Sequence, residues 1–222
     1  MGVVAALGRF NGHHPWSHND FYLGWVAARI RESGAREVLD IGCGTGNLLA
    51  RLCRDADHLT GLEPDPRSAD IAAARFAGTD AVTVVCAPFT GPLEHRRPAI
   101  TAVAVLHHMP LDRALREVRE SLAPGGRLVV VGCYRDAGFA DHVAGTISAV
   151  VNPVIGLFVH PRRARSLPDH MRAPTAEPLD TLAAIRDAAG RELPGARIRR
   201  RMFWRYTLVY DRPADGTDSS ER

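Results

Sequence analysis

The sequence predicts an α/β fold in which a mainly parallel sheet lies between two layers of helices. Between residues 35 and 135, short apolar runs alternate with longer segments that have helical spacing. This alternation requires crossover connections, which are right-handed and place helices on both faces of a sheet. Residues 99–109 are apolar almost throughout, as expected for a central strand that is covered on both sides.

The strands of this region are predicted from apolar runs that are bounded by turn residues. The runs are REVLDIG (36–42), HLTGLEPD (58–65), AVTVVCAPF (81–89), AITAVAVLHHM (99–109) and RLVVVGCYR (127–135). The helices are predicted from apolar residues at helical spacing. They are HNDFYLGWVAARIRE (18–32), NLLARLCRDA (47–56), SADIAAARFAG (68–78) and LDRALREVRESLAPGG (111–126), the last with a Pro-Gly-Gly exit.

The first helix has recognisable start and stop signals. Asn19 or Asp20 is the expected N-cap, and Ser33-Gly34 the expected stop. Helical spacing places Phe21 and Trp25 near one face, and we expect Trp25 to lie in the core.

The end of the chain predicts a helix and a hairpin. Residues 177–190 have helical spacing, with Gly190 as the expected stop, and residues 193–213 look like two strands. Too few residues separate these strands for a crossover helix, so we expect an antiparallel pair at the sheet edge. Ile198, Met202 and Trp204 should pack inward in this hairpin, and the polar tail 213–222 is expected to be disordered.

Composition favours a globular, cytoplasmic protein. The 222 residues are 45% hydrophobic and 24% charged, with a net charge of +3. All 28 basic residues are arginine, but they are interleaved with 25 acidic residues, so charge gives little reason to expect a nucleic-acid partner. The arginine-rich run 197–205 is explained as an edge strand that resists unwanted pairing. No apolar stretch reaches membrane-spanning length, so stable membrane insertion is not expected.

The four cysteines predict neither disulfides nor a zinc site. Cys43, Cys53, Cys86 and Cys133 are scattered and form no C-x-x-C pair. Reduced thiols in a cytosolic protein fit this pattern best.

The stretch VLDIGCGTGN (38–47) predicts a ligand site at the carboxyl edge of the sheet. Its glycines, Gly42, Gly44 and Gly46, let a ligand lie against the main chain. The G-x-G-x-G spacing is one residue shorter than the G-x-G-x-x-G pattern of dinucleotide folds. Asp40 stands two residues before the first glycine and suits an ammonium group better than a phosphate.

A second acidic residue identifies the sugar. Glu63 ends the second strand, 21 residues after Gly42, where a carboxylate can accept both hydroxyls of a ribose. The ligand should therefore carry an amine near Asp40 and an adenosine-like sugar near Glu63. S-adenosylmethionine (SAM) has both features.

These motifs resemble those of the class I SAM-dependent methyltransferases, especially members that act on small molecules. The segments VLDIGCGTG, GLEPD and LAPGGRLVVVG carry the resemblance over residues 35–135, and the closing hairpin is similar to the family's reversed last hairpin. The resemblance implies a three-layer, Rossmann-like sandwich with a seven-stranded sheet in the order 3-2-1-4-5-7-6, in which strand 7 is antiparallel. It also implies the cofactor-binding set Asp40, Gly42, Cys43, Gly44, Gly46, Glu63, Pro64, Ala87, Pro88, Phe89 and Val105.

Two positions depart from the family pattern. The third strand usually ends in an aspartate or asparagine that contacts adenine, whereas Cys86-Ala87-Pro88-Phe89 stand here. Backbone groups at Ala87 and the Phe89 ring can still hold the base. The fourth strand is usually introduced by an aspartate, and Arg97-Pro98 take that place.

The resemblance also implies a domain plan. Residues 1–34 form a helical lid with Asn19, Asp20 and Tyr22 as lid residues. Residues 35–212 form the methyltransferase domain, with an insert at 136–176 over the substrate pocket and a tail at 213–222. An alternative function for His13, His14 and His18 is metal binding. Because no cysteine or close carboxylate pair accompanies them, we expect no metal site.

His107 and His108 are the candidates for acid–base chemistry. They follow the fourth strand, at the edge where the methyl group should lie, and histidine is the commonest general base. If the strand extends that far, alternation directs them to opposite faces. The alternative is that both only pack and hydrogen-bond at the strand end.

Methyl transfer from SAM to a small molecule is the leading functional hypothesis, at oxygen in preference to carbon or nitrogen. The main alternative is a catalytically inactive binding protein that has kept the glycine loop. The glycine spacing argues against a nicotinamide-dependent oxidoreductase. We expect a monomer or homodimer, with no nucleic acid as partner.

Overall fold

The computed structural model describes residues 16–135, 155 and 177–215. The expectations for His13 and His14, for the insert (apart from residue 155) and for the tail beyond residue 215 lie outside these residues. In chain order the elements are α1 (His18–Ser33), β1 (Glu37–Ile41), α2 (Asn47–Leu52), β2 (His58–Leu62), α3 (Pro66–Arg75), β3 (Val82–Val85), β4 (Arg97–Val103), a 3-10 turn (Leu106–His108), α4 (Leu111–Ser121), β5 (Leu122–Cys133), α5 (Leu182–Glu192), β6 (Arg197–Arg201) and β7 (Arg205–Asp211).

The sheet confirms the predicted architecture. Its seven strands lie in the order β3-β2-β1-β4-β5-β7-β6. Strands β1 to β5 pair in parallel, whereas β7 is antiparallel to both β5 and β6. The carboxyl ends of β1, β2 and β4 therefore meet at one edge, because Ile41 is in register with Leu62 on one side and with Ala102 on the other.

Both faces of the sheet are covered, as a parallel sheet requires. One face packs its apolar residues, such as Ile100 and Val130, against α4 and α5 in a cluster that also contains Phe89. The other face packs Val129 and Val131 against α1 and α2. The near-continuous apolar sequences of β4 and β5 follow from this double burial.

Helix α1 begins earlier and faces the core differently than predicted. Its N-cap is Ser17, whose side-chain oxygen accepts a hydrogen bond from the Asp20 amide, so the prediction of Asn19 or Asp20 as N-cap is wrong. Gly34 ends the helix as predicted, with a positive φ of 71°. The buried face carries Tyr22, Leu23, Val26, Ala27 and Ile30, while Phe21 is 51% exposed.

Two element ends also differ from the predictions. Helix α5 continues through Gly190 to Glu192 and does not stop at the glycine. Strand β5 begins at Leu122, directly after α4, so the Pro-Gly-Gly segment lies within the strand beside a register shift in its pairing with β4.

The turn between β6 and β7 buries a residue that the sequence did not single out. Phe203 is fully buried, whereas Met202, which was predicted to pack inward, is exposed. Phe203 and Trp204 both have positive φ, at 59° and 54°, which is unusual for bulky residues. Burial of the Phe203 ring beside Trp16 and His18 accompanies this backbone conformation.

None of the helices in the described part of the chain combines the length and apolar character that a membrane crossing needs.

Candidate functional site

A large cavity lies at the carboxyl edge of the parallel strands. Its volume is about 1140 Å³, above the roughly 300–1,000 Å³ typical of pockets for one small molecule. We divide it into a glycine-loop half, lined by Gly42, Gly44, Glu63, Pro64 and Val105, and a hairpin half, lined by Trp16, Asn19, Tyr134, Trp204 and Arg205. The remaining described lining residues are Ser17, His18, Asp65, Pro66, Val103, Ala104, His107, His108, Cys133, Arg135, Glu177 and Pro178.

The three glycines of the loop are required for different reasons. All have positive φ, at 69°, 55° and 78° for Gly42, Gly44 and Gly46. A Cβ on Gly42 would collide with Val105, and one on Gly46 with the ring of Phe76. A Cβ on Gly44 would meet no atom of the described residues within 4 Å, and this residue lines the cavity. Gly44 is therefore the glycine at which the absence of a side chain leaves space for a ligand.

Glu63 joins the glycine loop to the end of β2. The Gly44 amide donates to its Oε2 at 2.8 Å, and the Asp65 amide donates to its Oε1 at 2.9 Å. The side chain is only 8% exposed, yet it lines the cavity. Each carboxylate oxygen retains a second lone pair that can accept from a ligand hydroxyl.

Asp40 lies beneath the loop and is 2% exposed. Thr101 donates its hydroxyl hydrogen to Oδ1 at 2.7 Å. Burial raises the pKa of Asp40 to about 7; the Thr101 hydrogen bond opposes this rise, and the charge of Glu63 adds to it. Asp40 is not among the described residues that line the cavity.

The histidine pair lies in a turn beyond the strand. Strand β4 ends at Val103, and His107 and His108 belong to the 3-10 turn that follows. The strand therefore does not extend to the two histidines, and alternation along a strand does not direct them to opposite faces. Their ring centroids lie 4.2 Å apart. Both residues line the cavity.

The first turn of α1 contacts both halves. Arg205 donates from Nε to Oδ1 of Asn19 at 3.0 Å, which ties α1 to β7. Asn47, the first residue of α2, donates to the Asp20 carboxylate at 3.2 Å, and Arg75 donates to Oδ1 of Asn47 at 2.8 Å. Adjacent residues of α1 thus hold the hairpin half and the helix that follows the glycine loop.

Several predicted site residues lie away from the cavity. Tyr22 is buried and donates its hydroxyl hydrogen to the Met202 carbonyl at 3.0 Å, so it is a core residue. Phe89 belongs to the core cluster beneath α4, and its ring is not available as a platform for a base. Cys43, Gly46, Ala87 and Pro88 are likewise absent from the described lining.

Sequence reasoning missed most of the hairpin half. Trp16, Tyr134 and Arg205 come from distant parts of the chain, and Cys133 lies beside them in the cavity lining. Cys133 and Arg205 are register partners in the pairing of β5 with β7. The only sequence feature that pointed to this pairing was the antiparallel hairpin predicted at the sheet edge. Burial raises the pKa of the Cys133 thiol, although the positive charge of Arg205 opposes this rise.

Among the described residues, no group of three or more histidine, cysteine or acidic side chains is placed to hold a metal ion.

Comparisons with known proteins agree with this arrangement. A family model described as "Methyltransferase domain" matches residues 39–128. An uncharacterized methyltransferase of Mycobacterium tuberculosis is 30% identical over 204 residues, which cover 90% of this chain and 98% of the relative. The chain belongs to the class I SAM-dependent methyltransferases.

Two further similarities concern known methyltransferases. A ubiquinone biosynthesis O-methyltransferase of Xylella fastidiosa is 30% identical over 149 residues, or 62% of this chain and 54% of that protein. Magnesium protoporphyrin IX methyltransferase from Synechocystis, crystallised with bound SAM, shares the methyltransferase fold with a TM-score of 0.55. It is 16% identical, and the match covers 96% of this chain and 85% of that one. SAM is the cofactor of this methyltransferase family.

The raised pKa of Asp40 predicts a specific pH dependence of stability. Between pH about 4 and about 7, the folded methyltransferase keeps a proton that the unfolded chain has released, because the Asp40 pKa is about 7 only when folded. The free energy of unfolding should therefore fall as pH rises through this window, by about 1 kcal/mol per pH unit relative to Asp40→Asn. Urea unfolding of both proteins at several pH values measures this difference. A difference that does not change with pH would show that Asp40 is not protonated in the fold.

Proposed function

We propose that this methyltransferase transfers the methyl group of SAM to a small-molecule acceptor, and that the accepting atom is an oxygen. The observation that carries the cofactor site is the uncovered backbone of Gly44 beside the Glu63 carboxylate. The cavity volume of about 1140 Å³ supports the presence of a second molecule beside the cofactor.

The glycine-loop half would hold the cofactor. Glu63 would accept hydrogen bonds from the ribose hydroxyls with its remaining lone pairs, while its amide contacts keep the carboxylate in place. Pro64 and Val105 offer apolar surface for the adenine ring, in place of the Phe89 ring. Asp40 would act through the position of the loop, since its carboxyl group lies below the cavity surface.

The hairpin half would hold the acceptor beside the histidine pair. Bound SAM supplies an electrophilic methyl group on a positively charged sulfur. The residues of this chain would align the acceptor, exclude water and remove its proton. His107 or His108 would take the hydroxyl proton at a ring nitrogen, and the similarity to a ubiquinone biosynthesis O-methyltransferase supports oxygen as the accepting atom.

Substitution of Gly44 by alanine should remove cofactor binding without removing the fold. The new methyl group would occupy the ligand space and contact no atom of the residues that the structure describes. Gly78→Ala is a matched control, because Gly78 also has a positive φ and open surroundings but does not line the cavity. Both variants should lose about 1–2 kcal/mol of stability from backbone strain.

Calorimetry with S-adenosylhomocysteine (SAH), the demethylated product, separates the two glycine variants. Only Gly44→Ala should bind SAH more weakly, by about tenfold or more. Wild-type affinity in Gly44→Ala would contradict the proposed cofactor position.

Removal of the Glu63 carboxylate should abolish recognition of the ribose hydroxyls. Wild-type protein should prefer adenosine to 2′,3′-dideoxyadenosine by about 1.5–3 kcal/mol, the usual range for hydrogen bonds to a charged group. Glu63→Ala should bind the two nucleosides equally, whereas Glu94→Ala, which removes an exposed carboxylate away from the described lining, should keep the preference. Competition against labelled SAH measures all three proteins. An unchanged preference in Glu63→Ala would rule out the ribose contact.

The histidine pair is tested by methyl transfer from labelled SAM to a panel of phenols. His107→Gln or His108→Gln should lower turnover by about 10²–10⁴-fold, because general-base catalysis has this magnitude. The affinity for SAH should stay unchanged, since neither side chain contacts the glycine loop in the proposed complex. If both variants keep wild-type turnover, neither histidine is the base. If wild-type protein binds SAH but methylates no member of the panel, the inactive binding protein becomes the better interpretation.

A further inference from the structure

Arg205 occupies a position in the cavity that the cofactor does not explain. It is the first residue of β7 and pairs in register with Cys133 at the end of β5. In the sheet, β4 and β5 separate β7 from β1. Three strand spacings amount to about 14 Å, so the Arg205 backbone lies far to the side of the glycine loop.

The guanidinium group of Arg205 is oriented by neutral acceptors. Nε donates to Oδ1 of Asn19 at 3.0 Å, and Nη1 donates to the Phe203 carbonyl at 3.1 Å. Among the described residues, no carboxylate lies within ion-pair distance of Arg205. Arg127 of the neighbouring β5, by contrast, pairs with Asp211 at 2.5 Å.

A partly buried guanidinium that has no carboxylate partner among the described residues favours an anionic ligand. Arginine stays protonated throughout the physiological pH range, and burial of a charge is costly unless an opposite charge accompanies it. Its fork of N–H groups matches the two oxygens of a carboxylate. Because two hydrogen bonds already fix the group, little side-chain entropy is lost when an anion binds.

The surroundings of Arg205 indicate the rest of the ligand. Trp16, Tyr134 and Trp204 line the same half of the cavity; Trp204 is partly exposed, whereas Trp16 and Tyr134 are only 8% and 2% exposed. Aromatic walls favour a flat, apolar ligand body. His107 and His108 follow β4, which lies between β1 and β5 in the sheet, and they line the same cavity.

We propose that Arg205 binds the carboxylate of an aromatic acid, and that the methyl acceptor belongs to this class of hydroxylated aromatic acids. This inference rests on the proposed methyl transfer and adds the acceptor class. The cofactor carries a carboxylate of its own, which is the other source of the same chemistry. In the proposed complex its ribose would bind at the end of β2, however, and Arg205 lies on the opposite side of β4 and β5.

The test compares acids with neutral analogues of the same shape. Calorimetry on SAH-saturated protein would use 4-hydroxybenzoate and 4-hydroxycinnamate, each beside its primary amide. Wild-type protein should bind the acids at least about tenfold more tightly than the amides, as expected for a charge-assisted, bidentate hydrogen bond. Arg205→Gln should lose this preference. Arg199→Gln should keep it, because Arg199 is an exposed arginine of the same hairpin outside the described lining.

Two further measurements show whether Arg205→Gln is folded and whether Arg205 binds the acceptor's carboxylate or that of the cofactor. Thermal unfolding and SAH affinity should be similar in Arg205→Gln and Arg199→Gln. If Arg205→Gln weakens SAH but not 5′-methylthioadenosine, which lacks the amino-acid part, then Arg205 holds the cofactor's carboxylate and the acceptor assignment is wrong.

The remaining outcomes are also decisive. Equal binding of acids and amides by wild-type protein, binding of neither, or a preference that survives in Arg205→Gln overturns the proposal. A failure of wild-type protein to bind SAH would instead overturn the proposed methyl transfer, so the two failures are distinguishable.

Discussion

The contact between Glu63 and the backbone of Gly44 is the interaction on which the site depends. Strands β1 and β2 are parallel neighbours, and their ends would leave two loops free to separate. The carboxylate accepts one amide hydrogen from each loop, at 2.8 and 2.9 Å, and so fixes the spacing between them. Hydrogen bonds to a charged acceptor are stronger than neutral ones, particularly where burial lowers the local dielectric constant. The same group thus shapes the site and keeps lone pairs for a ligand.

The two halves of the cavity are built in different ways. In the glycine-loop half, the backbone of Gly42 and Gly44 forms part of the surface, beside the side chains of Glu63, Pro64 and Val105. Positive φ angles, and at Gly42 the close approach of Val105, exclude side chains from the two glycine positions. In the hairpin half, large side chains form the surface, among them Trp16 and Trp204. A backbone surface tolerates little change in sequence, whereas a side-chain surface is altered by single substitutions. This division suits one constant ligand beside one that differs between relatives.

The fold was predictable because its signals are local. Alternating strands and helices, the glycine spacing and the acid at the end of β2 appear within short windows. The sheet order, which the resemblance to the methyltransferase family implied, is confirmed. The sequence predicted that the three glycines leave the main chain open to a ligand. It could not show that a Cβ on Gly42 or Gly46 would instead collide with Val105 or Phe76, because those contacts depend on tertiary packing.

Predictions that required knowledge of a packing partner were less successful. Tyr22 and Phe89 carry no local sign of whether they face a ligand or the core, and both are buried. The inward direction of the Phe203 side chain depends on positive φ angles at Phe203 and Trp204, which bulky residues rarely adopt. From the sequence, Met202 was therefore predicted to pack inward at this turn. Such local exceptions concentrate at functional sites, and this turn leads directly into Arg205.

Helix α1 lies outside the sheet, yet its first turn sets the geometry of both walls. Asn19 is joined to Arg205, and the next residue, Asp20, is joined to Asn47. A displacement of this turn would carry both attachments with it, because consecutive residues of a helix move as one body. In the proposed complex, the separation between the nucleoside and the acceptor would therefore depend on a segment that precedes the first strand. Variation in that segment offers a route to retune donor–acceptor alignment while every strand stays in place.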